Sequence, residues 1–161
     1  MIRKLQNSDS TVVLKIYQQG LDTGEASFEI EAPDWENWQA KYLPHPRLVW
    51  EQDGKVQAWA ALAPVSVRDC YRGVAEVSIY VATGSLGQGI GNELMASLVE
   101  ESERNGIWSL YSSIFPENQA TLKLHLRHGF REVGIRERIA QRDGRWRNTL
   151  ILERRSKKVG V

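Results

Sequence analysis

A single cysteine, Cys70, excludes an internal disulfide and a cysteine-based zinc site, and makes a reducing compartment, the cytoplasm, the expected location. No metal is expected. No apolar run approaches the roughly 20 residues needed to span a bilayer, so no membrane segment is expected either. Met1-Ile-Arg-Lys-Leu-Gln-Asn7 soon turns polar and predicts no signal peptide. Net charge is equally spare: 21 Lys and Arg against 20 Asp and Glu leave +1, which gives no reason to expect nucleic acid. The basic residues also lack the interleaved aromatics on which bases would stack. Repeats, linkers and low-complexity tracts are missing too.

What remains is an ordinary folded composition, 42% hydrophobic and 25% charged over 161 residues, enough for one globular domain spanning 1–161. The near-zero charge hides an asymmetry. Arg131 to Lys158 carries ten basic and four acidic residues, so the body of the chain is acidic.

Hydrophobic periodicity predicts the order β-α-α-β-β-β-α-β-α-β-β. Ile2–Leu5 reads as a strand, and Ser8-Asp9-Ser10 offers caps for a helix through Val13, Ile16, Tyr17 and Leu21. Glu25–Glu31 is loop-like. Pro33 suits the first turn of a short helix through Trp35, Trp38 and Tyr42. Strands over Arg47–Glu51 and Val56–Pro64 flank an Asp53-Gly54 hairpin turn, and Val74–Val81 is the clearest strand, with Val77, Ile79 and Val81 alternating against Glu76, Ser78 and Tyr80. A glycine-rich turn leads into a helix striped by Ile90, Leu94, Met95, Leu98 and Val99 that stops near Asn105-Gly106. Trp108–Phe115 is a strand, Asn118–His128 a helix, and Phe130–Ala140 with Trp146–Arg154 a last hairpin across Asp143-Gly144. The sum is a mixed α/β (α+β) domain.

Gly87-Gln88-Gly89-Ile90-Gly91 lets the backbone turn tightly and present successive N–H groups at a helix N-terminus, which suits an anion and above all a phosphate. A dinucleotide fingerprint fails, because Asn92 stands where the third glycine belongs and Tyr111-Ser112-Ser113 where the acid belongs. A P-loop fails because no Lys-Ser/Thr follows Gly91. A ligand-free β-to-α connection and a pyrophosphate cradle remain.

Two segments decide between these. Val77–Val81 followed by Leu86–Gly91 resembles the CoA-binding segment of the GNAT-superfamily N-acetyltransferases, and Asn118-x-x-Thr121-Leu-Lys-Leu-His125-x-x-x-Gly129-Phe130 resembles that superfamily's second hallmark. Within it the sequence is similar to the phosphinothricin acetyltransferase-like branch, through Ala26-Ser-Phe-Glu29, Trp35-x-x-Trp38, Arg68-x-x-Tyr71, Glu76–Val81, Leu124-His125 and Gly144-x-Trp146. The resemblance covers nearly the whole chain. It departs from the pattern at Leu86, where the family carries Arg or Gln, and at Asn148, where the branch carries Asp. No Lys or Arg lies between Arg72 and Arg104, so a pyrophosphate in the turn would be held by backbone amides.

The resemblance implies the GNAT fold, a mixed and mostly antiparallel central sheet flanked by helices. It implies acetyl-CoA as cosubstrate and direct transfer of acetyl to the α-amine of a small amino acid or analogue, of the phosphinothricin or methionine sulfoximine type. A homodimer is the expected assembly. Cofactor contacts fall on Ile79, Tyr80, Val81, Leu86, Gly87, Gln88, Gly89, Ile90, Gly91, Asn92 and Asn118. Direct transfer agrees with the absence of a nucleophile motif; Cys70 has no histidine near it in sequence.

Such transfer needs a base for the amine, donors for the developing oxyanion and a proton for the thiolate. From alternation alone Glu76 belongs to the exposed face of its strand; the resemblance makes it the base, with a pKa raised by apolar surroundings. His125 reads equally as a structural helix residue or as a group that orients the thiol or protonates the thiolate. Asn118 can cap its helix or touch the pantetheine arm. Arg68 is expected to pair with the acceptor's carboxylate, with Tyr71 beside it and Phe28 and Trp35 walling the pocket. Lys123 and Arg127 read as a solvated helix face, His128 as a helix-end residue and His45 as loop scaffolding. Other acceptors (a polyamine, an antibiotic or a protein N-terminus) and a non-catalytic acyl-CoA-binding sensor are the alternatives.

Overall fold

The computed structural model describes residues 1–161, and its elements follow the predicted order. They are β1 (Ile2–Lys4), α1 (Ser10–Asp22), α2 (Trp35–Lys41), β2 (Arg47–Gln52), β3 (Lys55–Pro64), β4 (Val74–Val81), α3 (Ile90–Arg104), β5 (Ser109–Ile114), α4 (Gln119–Arg127), β6 (Arg131–Arg142) and β7 (Arg145–Arg155). Both Asp-Gly hairpins turn as expected. Asp53 and Gly54 have φ of 53° and 72°, Asp143 and Gly144 of 51° and 75°, the paired positive values that a two-residue turn matched to strand twist requires. Several boundaries shift by one or two residues, β6 for instance running on to Arg142, and Pro33 lies outside α2, because Asp34 is its N-cap, with a carboxylate that accepts from the Asn37 N–H at 2.8 Å.

The strands form one sheet in the order β1-β2-β3-β4-β5-β7-β6. β4 and β5 are parallel and every other neighbouring pair is antiparallel. The middle of β3 is buried on both faces, and its alternation divides the core. Ala58, Ala60 and Leu62 pack toward Ile90, Leu94, Met95 and Leu98 of α3. Trp59 and Ala61 pack toward Val13, Ile16, Tyr17 and Leu21 of α1 and Trp38 of α2. The result is a sheet between two helical layers.

The register contains the feature on which function depends. β4 pairs with β3 along nearly its whole length, from Ala75 opposite Pro64 to Val81 opposite Ala58. With β5, β4 pairs only at Val74, Ala75 and Glu76, opposite Ser109, Leu110 and Tyr111. Beyond that point β5 stays with β7, pairing Ser112, Ser113 and Ile114 with Leu152, Ile151 and Leu150. The sheet therefore opens after Glu76, and one edge of β4 is left without a strand partner from Val77 onward.

The basic last hairpin braces the wall of this opening. Arg142 is buried and donates to the carbonyls of Leu21, Ser27 and Glu29 at 2.8, 2.7 and 2.6 Å. Arg147 lies over the Phe115 ring at 3.9 Å, donates to the Gly24 carbonyl at 3.1 Å and pairs with Glu25 at 2.9 Å. Cations of the terminal segment thus hold the 23–34 loop against the sheet, where its backbone carbonyls would otherwise lack donors. Asn148 has a local use as well. Its Oδ1 accepts from the Arg138 N–H at 2.8 Å, holding a bulge in β6 where Arg138 has a φ of 45°.

Candidate active site

A cleft of about 370 Å³ occupies the opening between β4 and β5. Strand alternation gives it two sides. Val77, Ile79 and Val81 pack toward α3. Ser78 and Tyr80 turn toward α1 and α2, where the Tyr42 hydroxyl donates to Ser78 Oγ at 3.2 Å and Tyr80 meets the Tyr17 ring edge-on at 4.7 Å. Gly20 permits that approach, since a Cβ there would collide with the Tyr80 ring.

Glu76 stands where the sheet splits and lines the cleft on the α1–α2 side. Burial pushes its carboxyl above the usual range; nearby Lys41 pulls it back and Glu29 pushes it further up. Opposite it is a charged cluster. Glu29 Oε2 accepts from the Tyr17 hydroxyl at 2.6 Å, Glu29 Oε1 accepts from Lys41 Nζ at 3.0 Å, and Lys41 Nζ also donates to the Tyr17 hydroxyl oxygen at 3.0 Å. Burial alone would raise the Glu29 carboxyl, but the hydrogen bonds from Tyr17 and Lys41 outweigh it and hold it low. Burial likewise opposes the Lys41 charge, and Tyr42 and Glu29 restore it, so Lys41 stays an ammonium. Burial pushes the Tyr17 phenol well up, so its proton stays in place.

On the other side, the turn after β4 meets the N-terminus of α3. Gly87 and Gly89 have φ of 76° and 82°, a region that favours glycine, and a Cβ at either would meet nothing within 4 Å. The space before the turn is open, and the first N–H groups of a helix have no intrahelical acceptor. Glu93, the acid of the first turn, accepts from Trp50 Nε1 at 2.8 Å, which engages its carboxylate elsewhere. Free amides, open space and an unpaired strand edge fit the pyrophosphate and amide-rich arm of a CoA thioester.

His125 is 4% exposed and lines the cleft. Its Nδ1 lies 2.7 Å from the Thr121 carbonyl, which can only accept, so Nδ1 carries the hydrogen and Nε2 the lone pair. Burial lowers its pKa, keeping the ring neutral, and Nε2 has no partner within the protein. The same holds for Thr149 Oγ1, buried at the cleft wall without a partner. Both residues line the cleft, and an ordered water or a bound ligand can satisfy such atoms.

Of the residues expected from sequence, the cleft gathers Glu76, His125, Ile79, Tyr80, Val81, Leu86, Asn118 and Phe28. Phe28 packs edge-on against Phe115 at 5.0 Å. Asn118 also caps α4, accepting from the Thr121 N–H at 3.2 Å. The turn residues Gly87, Gln88 and Gly89 are exposed beside it, and Asn92 Oδ1 lies 2.8 Å from His128 Nε2. Arg68 and Tyr71 are not brought in. They lie on the exposed connection between β3 and β4, with the guanidinium 5.5 Å from the Tyr71 ring centroid, because no buried apolar residue in 65–72 anchors that connection over the cleft. Trp35 is also outside, stacked on Trp38 at 4.7 Å. Sequence reasoning missed Tyr17, Lys41, Ser78 and Thr149. Tyr17 reads as one more residue of an apolar helix stripe, and only the pairing of Glu29 with Lys41 across the loop would have marked the cluster.

Comparison with known proteins bears on family and fold. The profile of the Acetyltransferase (GNAT) family matches residues 13–130. The phosphinothricin N-acetyltransferase of Alcaligenes faecalis is 32% identical over 160 residues, covering 95% of this chain and 81% of that protein. The L-methionine sulfoximine/L-methionine sulfone acetyltransferase of Salmonella typhimurium is 27% identical, covering 94% of this chain and 92% of that protein. The crystal structure of a GNAT-superfamily phosphinothricin acetyltransferase from Sinorhizobium meliloti, in complex with AcCoA, superposes with a TM-score of 0.89 at 24% identity, covering 99% of this chain and 90% of that one.

Proposed function

The chain belongs to the GNAT family of acetyltransferases, and from that premise we propose that it transfers acetyl from acetyl-CoA directly to the α-amine of a small amino acid or analogue, of the phosphinothricin or methionine sulfoximine type. The observation that carries this reading is the opening of the sheet at Glu76, which sets a carboxylate with a raised pKa beside the free edge of β4.

Bound acetyl-CoA supplies a thioester carbonyl activated for attack by an amine. The free edge of β4 from Val77 to Val81 holds the pantetheine arm, and N–H groups of that edge polarise the carbonyl. Gly87, Gly89, Gly91 and the amides of Gln88, Ile90 and Asn92 receive the pyrophosphate. Glu76 takes the proton that the acceptor ammonium must lose, directly or through one water. The neutral nitrogen then forms its bond to the carbonyl carbon, the carbon–sulfur bond breaks, and the second proton, which the nitrogen sheds as it becomes an amide, passes directly or through water to the leaving thiolate. His125 does not deliver that proton from Nε2, which holds a lone pair; it accepts a hydrogen bond and orients the donor. Thr149 Oγ1 and Phe28 bound the acceptor's side chain.

Exposed Val133, Ile135 and Trp146 on the last hairpin support a homodimer formed through that face, and the free thiol of Cys70 suits the cytoplasm. No helix is long and apolar enough to cross a membrane. The test of the reaction is the product: with acetyl-CoA and L-methionine sulfoximine, mass spectrometry should find one acetyl group on the α-nitrogen. Acetylation elsewhere, or none while the acceptor binds, would contradict it.

A further inference from the structure

The glycine turn has no cation of its own, since no lysine or arginine lies between Arg72 and Arg104. Side-chain help for its amides has to reach it from elsewhere. The first turn of α3 carries two polar side chains, Asn92 and Glu93, and each is tied to another element. Trp50 of β2 engages the Glu93 carboxylate, and His128 at the end of α4 meets Asn92, both at 2.8 Å. The second contact has a fixed sense. Asn92 Oδ1 can only accept, so His128 Nε2 carries the hydrogen, and the Asn92 Nδ2 hydrogens are left for another acceptor.

His128 is well anchored for this contact. It is the half-buried C-cap of α4, its N–H donates to the His125 carbonyl at 3.0 Å, and its carbonyl accepts from Arg154 Nε at 3.2 Å. Arg154 is in turn paired with Glu103 of α3 at 3.1 Å. Burial, with Arg127 and Arg154 nearby, lowers the His128 pKa, so a neutral ring makes the contact. At Gly91 the start of α3 also faces Leu124 of α4, 3.7 Å from where a Cβ would stand.

We propose that His128 is a positioning residue for the cosubstrate: it fixes the Asn92 amide so that Nδ2 donates to the pyrophosphate of acetyl-CoA. An amide that is free to turn can offer a phosphate either its donor or its acceptor, and the acceptor would repel. A donor on α4 selects the favourable orientation and adds to the turn a polar contact where it lacks a cation. The proposal rests on acetyl-CoA binding at the turn, and not on which amine accepts the acetyl group.

The test is calorimetric titration with acetyl-CoA, which needs no acceptor amine, on wild type, Asn92→Ala, His128→Leu, His128→Gln and the Asn92→Ala/His128→Leu double variant. Asn92→Ala should raise Kd about tenfold, the loss of one hydrogen bond to a charged group. His128→Leu should raise it roughly three- to tenfold, and the double variant no further than Asn92→Ala alone, because His128 acts through that amide. His128→Gln, whose Nε2 can donate to Asn92, should recover most of the loss. The same ratios should hold for acetyl-dephospho-CoA, which lacks the ribose phosphate but keeps the pyrophosphate. Wild-type affinity in Asn92→Ala or His128→Leu, additive losses in the double variant, or a loss confined to the cofactor with its ribose phosphate would overturn the assignment while leaving acetyl-CoA at the turn. Wild-type enzyme with no affinity for acetyl-CoA would remove that reading and this one together.

Discussion

Glu76→Gln should lower kcat at pH 7 by roughly 10²- to 10⁴-fold, the usual contribution of a positioned general base, while acetyl-CoA binds with wild-type affinity. The amide keeps the size of the side chain but cannot take the ammonium proton. Stability should move the other way. Burial raises the Glu76 carboxyl above its unfolded value, so the folded chain binds this proton more tightly than the unfolded chain does. Ionisation therefore costs folding stability, a cost that grows as pH rises from the unfolded to the folded value and is constant above it, and the neutral amide removes that cost. A variant that is inactive yet melts no lower than wild type is the expected result, read by thiol release and thermal denaturation. Because Glu76 must be ionised to act, wild-type kcat/KM should also fall on the acid side at a pH above the ordinary carboxylate range.

Gly89→Val should weaken acetyl-CoA binding by about tenfold or more, with a smaller change in kcat at saturating cofactor. Gly89 caps α3 with a φ of 82°. A β-branched residue is strained in that conformation, and its side chain would enter the open space before the turn. Calorimetric titration with acetyl-CoA checks it. Unchanged affinity would show that the turn is a plain connection between strand and helix. The turn contains no cation to compensate, which is why the backbone conformation should matter so much here.

The order of elements and the turn were legible because both are local. Alternation marks Val77, Ile79 and Val81, and three glycines in five positions mark a backbone that visits positive φ. Glu76 was legible as a residue but not as a place, since nothing local says that β5 leaves β4 after Tyr111. Lys41 was illegible for the same reason. Its partners Tyr17 and Glu29 are 24 and 12 residues away, and Tyr17 buries its ring in the core while its hydroxyl reaches the cleft. Arg68 was legible as part of a loop motif but not as a place, since the connection between β3 and β4 is exposed and lies outside this chain's own cleft. The charge asymmetry was visible in the composition, but its use was not: Arg142 and Arg147 reach back 113 and 123 residues, to Glu29 and Gly24, to hold the loop that carries Phe28.

The most direct measurement is thiol release from acetyl-CoA by wild-type enzyme across a panel of amines at one pH: L-methionine sulfoximine, L-phosphinothricin, spermidine and a peptide with a free α-amine. A small cleft with Glu76 beside the free edge of β4 should give kcat/KM values for the two amino-acid analogues about tenfold or more above those for spermidine and the peptide. Fastest release with spermidine or the peptide, or binding of acetyl-CoA with no release on any amine, would contradict an amino-acid α-N-acetyltransferase.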